Sequence, residues 1–261
     1  MTRVRGVDVV HWNPRRSLAP GYLPRTTRVN NFGDLLGPVV VRALAPEGDV
    51  APEGGPRLLA VGSILQLARD GDVVWGTGVN GKVSEDALRA RALDVRAVRG
   101  PLTARVLRRR GAEVPDVYGD PGLLAPGILG ISRQRPTIPV TSIPNLNERR
   151  SWRGKPGYLS PRTSYRRVIE TIARSELVIA SSLHAIVVAE VLGVPVAPVL
   201  PAHEAVFKYE DYYEGTGRRL PRLAETYEAA TDFVVDPLTW SGDALRGAFP
   251  GDLWRRGQDA A

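Results

Sequence analysis

The chain has 261 residues, no cysteine, three histidines and a formal net charge of +7 at neutral pH. This length allows one large domain or two modest ones. The cysteine and histidine counts exclude a disulfide framework and a thiolate metal site, and they argue against zinc, so no metal is expected. Because the arginines are spread through predicted helices and form no single basic arm, nucleic acid is not an expected partner.

No uninterrupted apolar run approaches the ~20 residues that cross a bilayer, and the first residues lead into a short strand rather than a signal segment. We therefore expect a cytoplasmic protein. Its positive charge suits an anionic small substrate, and it also suits loose association with an acidic membrane surface where a lipid-linked acceptor would lie.

Apolar runs punctuated by Gly and Pro predict alternating strands and helices in the first half of the chain. Pro101 stands at the first turn of one helix and Gly111 closes it. The predicted strands are Val7 to Trp12, Leu58 to Val61, Val73 to Gly76, Asp94 to Val98 and a short one at Val117 and Tyr118; the predicted helices run from about Asp34 to Leu44 and from Pro101 to Gly111.

From Leu123 to Pro136 the composition shifts to Gly and Pro with little helical pattern, which is typical of a linker. The α/β pattern then resumes. We predict two Rossmann-like, doubly wound domains facing a cleft, residues 1–125 and 137–261, joined by a linker over 126–136, with a C-terminal tail able to pack back on the first domain. The later elements are strands at Thr137 to Ile143, Leu177 to Ala180 and Val196 to Val199, and helices from about Ser164 to Arg174 and Ile186 to Leu192.

His184 is the first catalytic candidate. An apolar strand stops on Ser181 and Ser182, and the histidine follows at the start of a helix. Ligands of parallel sheets bind outside the carboxyl ends of the strands, and a helix N-terminus there favours an anion. A core or helix-capping histidine is the alternative, and this context alone favours neither.

Polar motifs recur at the predicted strand ends, and their order along the chain resembles the polysaccharide pyruvyl transferase family, especially bacterial enzymes that decorate exopolysaccharide repeat units. The similarity runs from about Asn31 to Tyr213. The motifs are Asn31-Phe32-Gly33-Asp34, Trp75-Gly76-Thr77-Gly78, Val98-Arg99-Gly100-Pro101-Leu102-Thr103, Tyr118-Gly119-Asp120-Pro121, Ser181-Ser182-Leu183-His184-Ala185 and Phe207-Lys208-Tyr209-Glu210-Asp211-Tyr212-Tyr213.

The resemblance implies a fold like that of the two-domain GT-B glycosyltransferases and a reaction that uses phosphoenolpyruvate as donor. The enolpyruvyl group would pass to two hydroxyls of one sugar, in a glycan or lipid-linked saccharide, and leave a cyclic pyruvate ketal. This chemistry needs a proton donor, cations for the donor's carboxylate and phosphate, and a group that orients or deprotonates the sugar. It demands neither a redox cofactor nor an essential metal.

By the same resemblance, His184 would be the general acid, and Arg99 and Lys208 would hold the donor's anionic groups. Ser181, Ser182 and Asn145 would complete the donor side. Two of these depart from the family pattern, since many members have arginine where this chain has Ser182 and relatives often have histidine where it has Asn145. Arg99 could instead be an interdomain or surface arginine, and Lys208 an exposed loop lysine.

Asp34 would act from the other side of the cleft, accepting the proton of an attacking hydroxyl or holding the acceptor sugar beside Asn31. A helix-capping aspartate is equally compatible with this sequence. Tyr212, with the neighbouring tyrosines, could stack on a sugar face, although packing in the core is the commoner role of such residues.

Two other functions are compatible with the sequence. Because one fold can host different reactions, the protein could instead be a nucleotide-sugar glycosyltransferase on the same scaffold. Such an enzyme would use a carboxylate for the ribose hydroxyls, and Glu190 is the candidate. A catalytically inactive relative would bind anionic glycans. The acceptor sugar is left open, because variable loops from Ser17 to Asn30 and from Asn145 to Pro161 would build its pocket.

Overall fold

The computed structural model describes residues 1–17, 26–82, 87–232 and 235–254, which form a mixed α/β fold with parallel sheets. Residues 18–25 of the expected acceptor loop and the last seven residues of the C-terminal tail lie outside the described part. The strands are β1 Thr2–Val4, β2 Val7–Val10, β3 Arg15–Ser17, β4 Thr26–Arg28, β5 Leu58–Leu59, β6 Val73–Trp75, β7 Asp94–Ala97, β8 Ile138–Ile143, β9 Ser175–Ala180 and β10 Val196–Pro198; the α-helices are α1 Leu36–Leu44, α2 Pro101–Arg109, α3 Ala125–Ile128, α4 Tyr165–Ala173, α5 Leu183–Val191, α6 Phe207–Gly215 and α7 Asp243–Gly247.

The first sheet has five strands in the order β1-β2-β5-β6-β7. Strands β2, β5, β6 and β7 run parallel, and their apolar residues are buried as expected for a sheet covered on both faces. Strand β1, which the sequence analysis did not predict, pairs antiparallel with β2. The turn between them has positive φ angles at Arg5 and Gly6, the signature of a two-residue hairpin turn.

The second sheet has the order β10-β9-β8 and is fully parallel. Its register pairs Ile143 with Ala180 and Ala180 with Pro198, so three strands end side by side. The segments that follow them therefore leave the sheet at one edge. These segments carry Asn145, His184 and the loop that precedes helix α6.

The start of the Gly- and Pro-rich segment is helical, whereas residues 131–136 form neither helix nor strand. The helical part is a 3-10 helix over Pro121–Leu124 that continues as α3, and Leu123, Leu124 and Ala125 are buried in the main core. Proline occupies the first turn of both short helices, where its missing N–H costs nothing. Pro121 and Pro126 therefore begin helices in the first part of this segment.

The last described segment, helix α7 and a 3-10 helix over Gly251–Trp254, packs on the first sheet. Trp254 is fully buried and donates its indole N–H to the Val4 carbonyl at 3.1 Å. The Trp75 indole of strand β6 donates to the Leu245 carbonyl of α7 at 2.9 Å. Among the described residues, no helix is long and apolar enough to cross a membrane.

Candidate active site

A cleft of about 290 Å³ opens where the ends of the second sheet's strands face the start of helix α1. Six of the predicted site residues line it: His184, Asp34, Asn31, Lys208, Ser182 and Asn145. Arg99, Ser181 and Tyr212 do not. The cleft also has lining residues that the sequence analysis did not select, among them Trp12, Ser63, Lys82, Asn147 and Glu204.

His184 is the second residue of helix α5, directly after strand β9, and only 9 % of it is exposed. Its ring lies across Gly33, so closely that a Cβ atom on Gly33 would overlap the Nδ1 and Cγ atoms. The Phe32 ring meets the imidazole edge-on, with the ring centroids 6.5 Å apart. Residue 33 must therefore be glycine for this imidazole to reach the cleft.

The other ring nitrogen of His184 faces Asp120, whose side chain is buried. Nε2 lies 3.9 Å from Asp120 Oδ2. The second carboxylate oxygen, Oδ1, accepts the Gly122 N–H at 2.8 Å and so caps the short helix that follows. Within the described residues, neither Nε2 nor Oδ2 has a hydrogen-bond partner.

Asp34 lies in a 3-10 helix over Gly33–Leu35, immediately before α1, and its carboxylate faces the cleft. It accepts a hydrogen bond from the Asn31 side-chain amide at 2.7 Å and caps neither helix, which removes the capping alternative. Burial raises the pKa of the Asp34 carboxyl, and the charge of His184 and the Asn31 hydrogen bond only partly oppose that rise.

Two lysines and one carboxylate form a charged group at the cleft. Glu204 Oε1 lies 2.5 Å from the Lys82 ammonium, and Oε2 lies 3.1 Å from that of Lys208. Burial lowers the pKa of Lys208, with Arg99 and Lys82 acting in the same direction and Glu204 opposing them. Burial alone would raise the pKa of Glu204, but the two lysines outweigh it and the pKa falls.

Asn145 and Ser182 reach the cleft, whereas Ser181 acts behind it. The Asn145 side-chain oxygen accepts the Asn147 N–H and caps a 3-10 turn over Leu146–Glu148. Ser181 is fully buried; its hydroxyl donates to Glu148 and accepts the Asn145 N–H at 2.9 Å. The predicted donor contact of Ser181 is therefore corrected to a structural one that joins two strand-end loops.

The predicted contact of Arg99 with a donor is also corrected. Arg99 is 1 % exposed, and its guanidinium pairs with Asp211 of helix α6 at 2.8 Å. It donates further to the Ser63 hydroxyl and the Val79 carbonyl. Because its guanidinium is fully engaged inside the protein, Arg99 does not line the cleft. It contacts the cleft only through Ser63, which does line it.

Tyr212 does not contact the cleft and cannot stack on a sugar there. It is fully buried, and its hydroxyl donates to Glu190 at 2.5 Å. Glu190 also pairs with Arg218 at 2.6 Å. Tyr209 and Tyr213 are buried as well, so the core alternative for these tyrosines is the correct one.

Lys82 and Glu204 are the main omissions of the sequence analysis. Lys82 follows the Thr77-Gly78 motif by only a few residues, and Glu204 stands four residues before Lys208, a spacing that often pairs opposite charges. Both residues could therefore have been selected as candidates from the sequence. Among the described residues, no group of three or more histidine, cysteine, aspartate or glutamate side chains is placed to hold a metal ion.

Ligands of α/β proteins bind outside the carboxyl ends of parallel strands, and in this protein an imidazole, carboxylates and ammonium groups line a cleft at that position. The chain belongs to the polysaccharide pyruvyl transferase family, whose model matches residues 31–203. The match contains Asn31, Asp34, Asn145 and His184, and it ends just before Glu204.

A succinoglycan biosynthesis protein, ExoV of Rhizobium meliloti strain 1021, is 28% identical to the chain over 210 residues. The aligned region covers 73% of this chain and 65% of that relative, so the chain spans somewhat less than two thirds of the relative's length. No solved structure gave a significant match.

The contact between Gly33 and His184 predicts the effect of a single methyl group. Gly33→Ala should destabilise the fold by about 1–3 kcal/mol, because an atom inserted into a filled site forces its neighbours apart. Adding His184→Ala should recover part of the loss, since the ring is what the methyl group meets. Urea unfolding of both single variants and the double variant measures this coupling.

Gly127→Ala is the matched control, because a Cβ at that position meets no atom within 4 Å. It should leave stability unchanged or raise it slightly. A Gly33→Ala protein as stable as the wild type would show that the ring does not lie across Gly33.

Proposed function

We propose that this protein moves the enolpyruvyl group of phosphoenolpyruvate onto two hydroxyls of one sugar, in a glycan or lipid-linked saccharide, and forms a cyclic pyruvate ketal. The supporting observation is that His184, Asp34 and the pair Lys82 and Lys208 share one cleft in a chain of the polysaccharide pyruvyl transferase family. Each group supplies a function that this reaction needs.

The reaction needs one proton donor and a means of deprotonating two hydroxyls. Transfer of a proton from His184 to the methylene carbon of the donor would convert it to a methyl group and leave the adjacent carbon cationic. One sugar hydroxyl then bonds to that carbon and loses its proton. The second hydroxyl forms the other C–O bond as the C–O bond to phosphate breaks, and its proton balances the released phosphate. Asp34 is the base for an attacking hydroxyl, and its raised pKa favours accepting that proton.

The donor carries a carboxylate and a phosphate, which need cationic partners. Lys208 and Lys82 supply two ammonium groups, and the N-terminus of helix α5 adds backbone N–H groups beside Ser182. In the structure Glu204 occupies the space between the lysines. We propose that an anionic group of the donor takes over contacts that Glu204 makes in the empty cleft.

We further propose that the two parallel sheets are the cores of two Rossmann-like lobes in a GT-B-like arrangement. The cleft's lining supports this, since His184 and Asn145 follow strands of the second sheet while Asp34 and Lys82 belong to the first half of the chain. A cytoplasmic location, with loose attachment to an acidic membrane surface through the net charge of +7, completes the proposal.

One observation weakens the glycosyltransferase alternative. Glu190, the carboxylate that would hold the ribose, is 6 % exposed and is already bonded to Tyr212 and Arg218. Its charge is compensated inside the protein, so a nucleotide would have to break a buried pair to reach it.

The direct test is mass spectrometry of a glycan library incubated with the protein and phosphoenolpyruvate. A mass gain of one pyruvate ketal on any acceptor, with release of phosphate, supports the proposal. Transfer from nucleotide sugars without any reaction of phosphoenolpyruvate would falsify it. Binding of glycans with neither reaction would identify the inactive relative.

Replacing His184 tests the general acid. His184→Asn keeps a hydrogen-bonding side chain but loses the titratable ring, so turnover should fall roughly a hundredfold or more while phosphoenolpyruvate still binds. His184→Gln should behave alike, with its amide placed further out. Turnover comes from phosphate release and donor affinity from calorimetry; near-normal turnover in both variants would return His184 to a packing role.

Replacing Lys82 and Glu204 tests the donor site. Lys82→Ala should weaken phosphoenolpyruvate binding about 3- to 10-fold, which corresponds to a loss of about 1 kcal/mol of binding free energy for a partly exposed charge. Glu204→Gln should tighten it by a similar factor, because no carboxylate then competes for the lysines. Calorimetry measures both.

The matched control is Lys155→Ala. Lys155 is as exposed as Lys82, 35% against 38%, and also pairs with a glutamate, but it lies outside the cleft. Its replacement should leave donor affinity unchanged. Weaker binding by Glu204→Gln, or an equal effect of the two lysine changes, would contradict this placement of the donor.

A further inference from the structure

We propose that Asp120 is a positioning residue for His184, holding the ring proton on Nε2 so that Nδ1 is the atom that exchanges a proton in the cleft. The catalytic part of this inference rests on the proposed function. The part that concerns the imidazole tautomer does not, because it follows from contacts inside the protein.

The geometry isolates two polar atoms that face each other. Asp120 is 1 % exposed, and its Oδ2 lies 3.9 Å from His184 Nε2. Both atoms are buried, and within the described part of the chain neither has another hydrogen-bond partner. Buried polar atoms left unpaired cost free energy, and a shift of about 1 Å would bring this pair to hydrogen-bond distance.

The chemistry of the two groups fixes the direction of that hydrogen bond. An ionised carboxylate only accepts, so the proton must reside on Nε2 of the imidazole. Asp120 Oδ1 is already occupied by the Gly122 N–H, which leaves Oδ2 for the ring. The neutral ring then presents an unprotonated Nδ1, the nitrogen that lies beside Gly33 at the cleft.

Asp120 can therefore do for His184 what a buried carboxylate does for an acid-base histidine in general: it sets the tautomer, orients the ring and stabilises the imidazolium. The charged groups on the cleft side are Asp34 in the 3-10 helix before α1, Lys208 of α6, Glu204 of the preceding loop and Lys82. Asp120 is the carboxylate on the opposite side of the ring, at Nε2.

A purely structural role for Asp120, as the cap of the helix over Pro121–Leu124, is the competing explanation. Asp120→Asn separates the two. The amide has one oxygen, and the Gly122 N–H requires it, so capping is preserved and the variant should fold. The amide NH2 group then faces Nε2 and donates to it, which forces the ring proton to Nδ1. The substitution therefore inverts the tautomer while it leaves the cap intact.

The experiment is nitrogen-15 NMR of histidine-labelled protein at a pH where the imidazole is neutral. With three histidines in the chain, His11→Gln and His203→Gln assign the signals of His184. We expect the proton on Nε2 in the wild type and on Nδ1 in Asp120→Asn. The control Asp116→Asn, at a carboxylate that is 76% exposed, should change nothing.

A wild-type protein with the proton on Nδ1 overturns the proposal by itself, whether or not the variant folds. An unchanged tautomer in a folded Asp120→Asn protein overturns it too. In the transfer assay, Asp120→Asn should lower kcat at least about a hundredfold, as expected for a misplaced ring proton, with KM for phosphoenolpyruvate changed far less. Equal turnover of Asp120→Asn and the wild type would refute the part of the proposal that gives Asp120 a role in catalysis. Failure of all transfer by the wild type would refute the proposed function and leave the tautomer result standing.

Discussion

The buried ion pair between Arg99 and Asp211 holds helix α6, which carries the cleft residue Lys208. It joins the loop after strand β7 to helix α6, and Asp211 also accepts hydrogen bonds from the backbone and hydroxyl of Thr103. The contact is close, because a Cβ on Gly100 would overlap the Asp211 carbonyl. Lys208 stands on the same helix, so its position relative to His184 depends on this pair. Removing one partner of such a pair costs about 3–5 kcal/mol, since the other charge stays buried.

Several motifs that carry the family resemblance are in contact, although they are far apart in the chain. The glycine of the Gly-Asp motif accommodates the His184 ring, Gly78 accommodates the Arg99 guanidinium, and Arg99 holds the helix of the lysine and tyrosine motif. The aspartate after Gly119 faces the same histidine from behind. At both glycines, a larger side chain would overlap the group that lies against the backbone. Motifs that are distant in the sequence therefore contact one another in the fold.

Most strands, four helices and the place of His184 after a strand end could be predicted from the sequence, because strand ends and helix starts are local features. The cleft positions of Asp34 and Lys208 followed from the family motifs. Prediction failed where a polar side chain's direction depends on a distant partner. Arg99 and Tyr212 carry the polar groups that a donor or sugar site needs, and only Asp211 and Glu190, distant in sequence, turn them inward. Asp120 was not selected as a site residue for the same reason, because only the fold brings its carboxylate to His184 Nε2.

Glu204 pairs with both cleft lysines and offsets one of their two positive charges. Against the effect of burial, the two lysines depress the pKa of Glu204, which favours its ionised form. Two ammonium groups that share no carboxylate would repel each other, and burial already lowers the pKa of Lys208. Glu204 therefore offsets this repulsion until an anion, such as the proposed donor, binds. The same carboxylate competes with that anion, so a ligand with one charge gains little by displacing it. A donor with both a carboxylate and a phosphate gains more, because it can engage the two lysines and the helix N-terminus together. If the proposed function holds, this arrangement of charges favours a donor with two anionic groups over a donor with one.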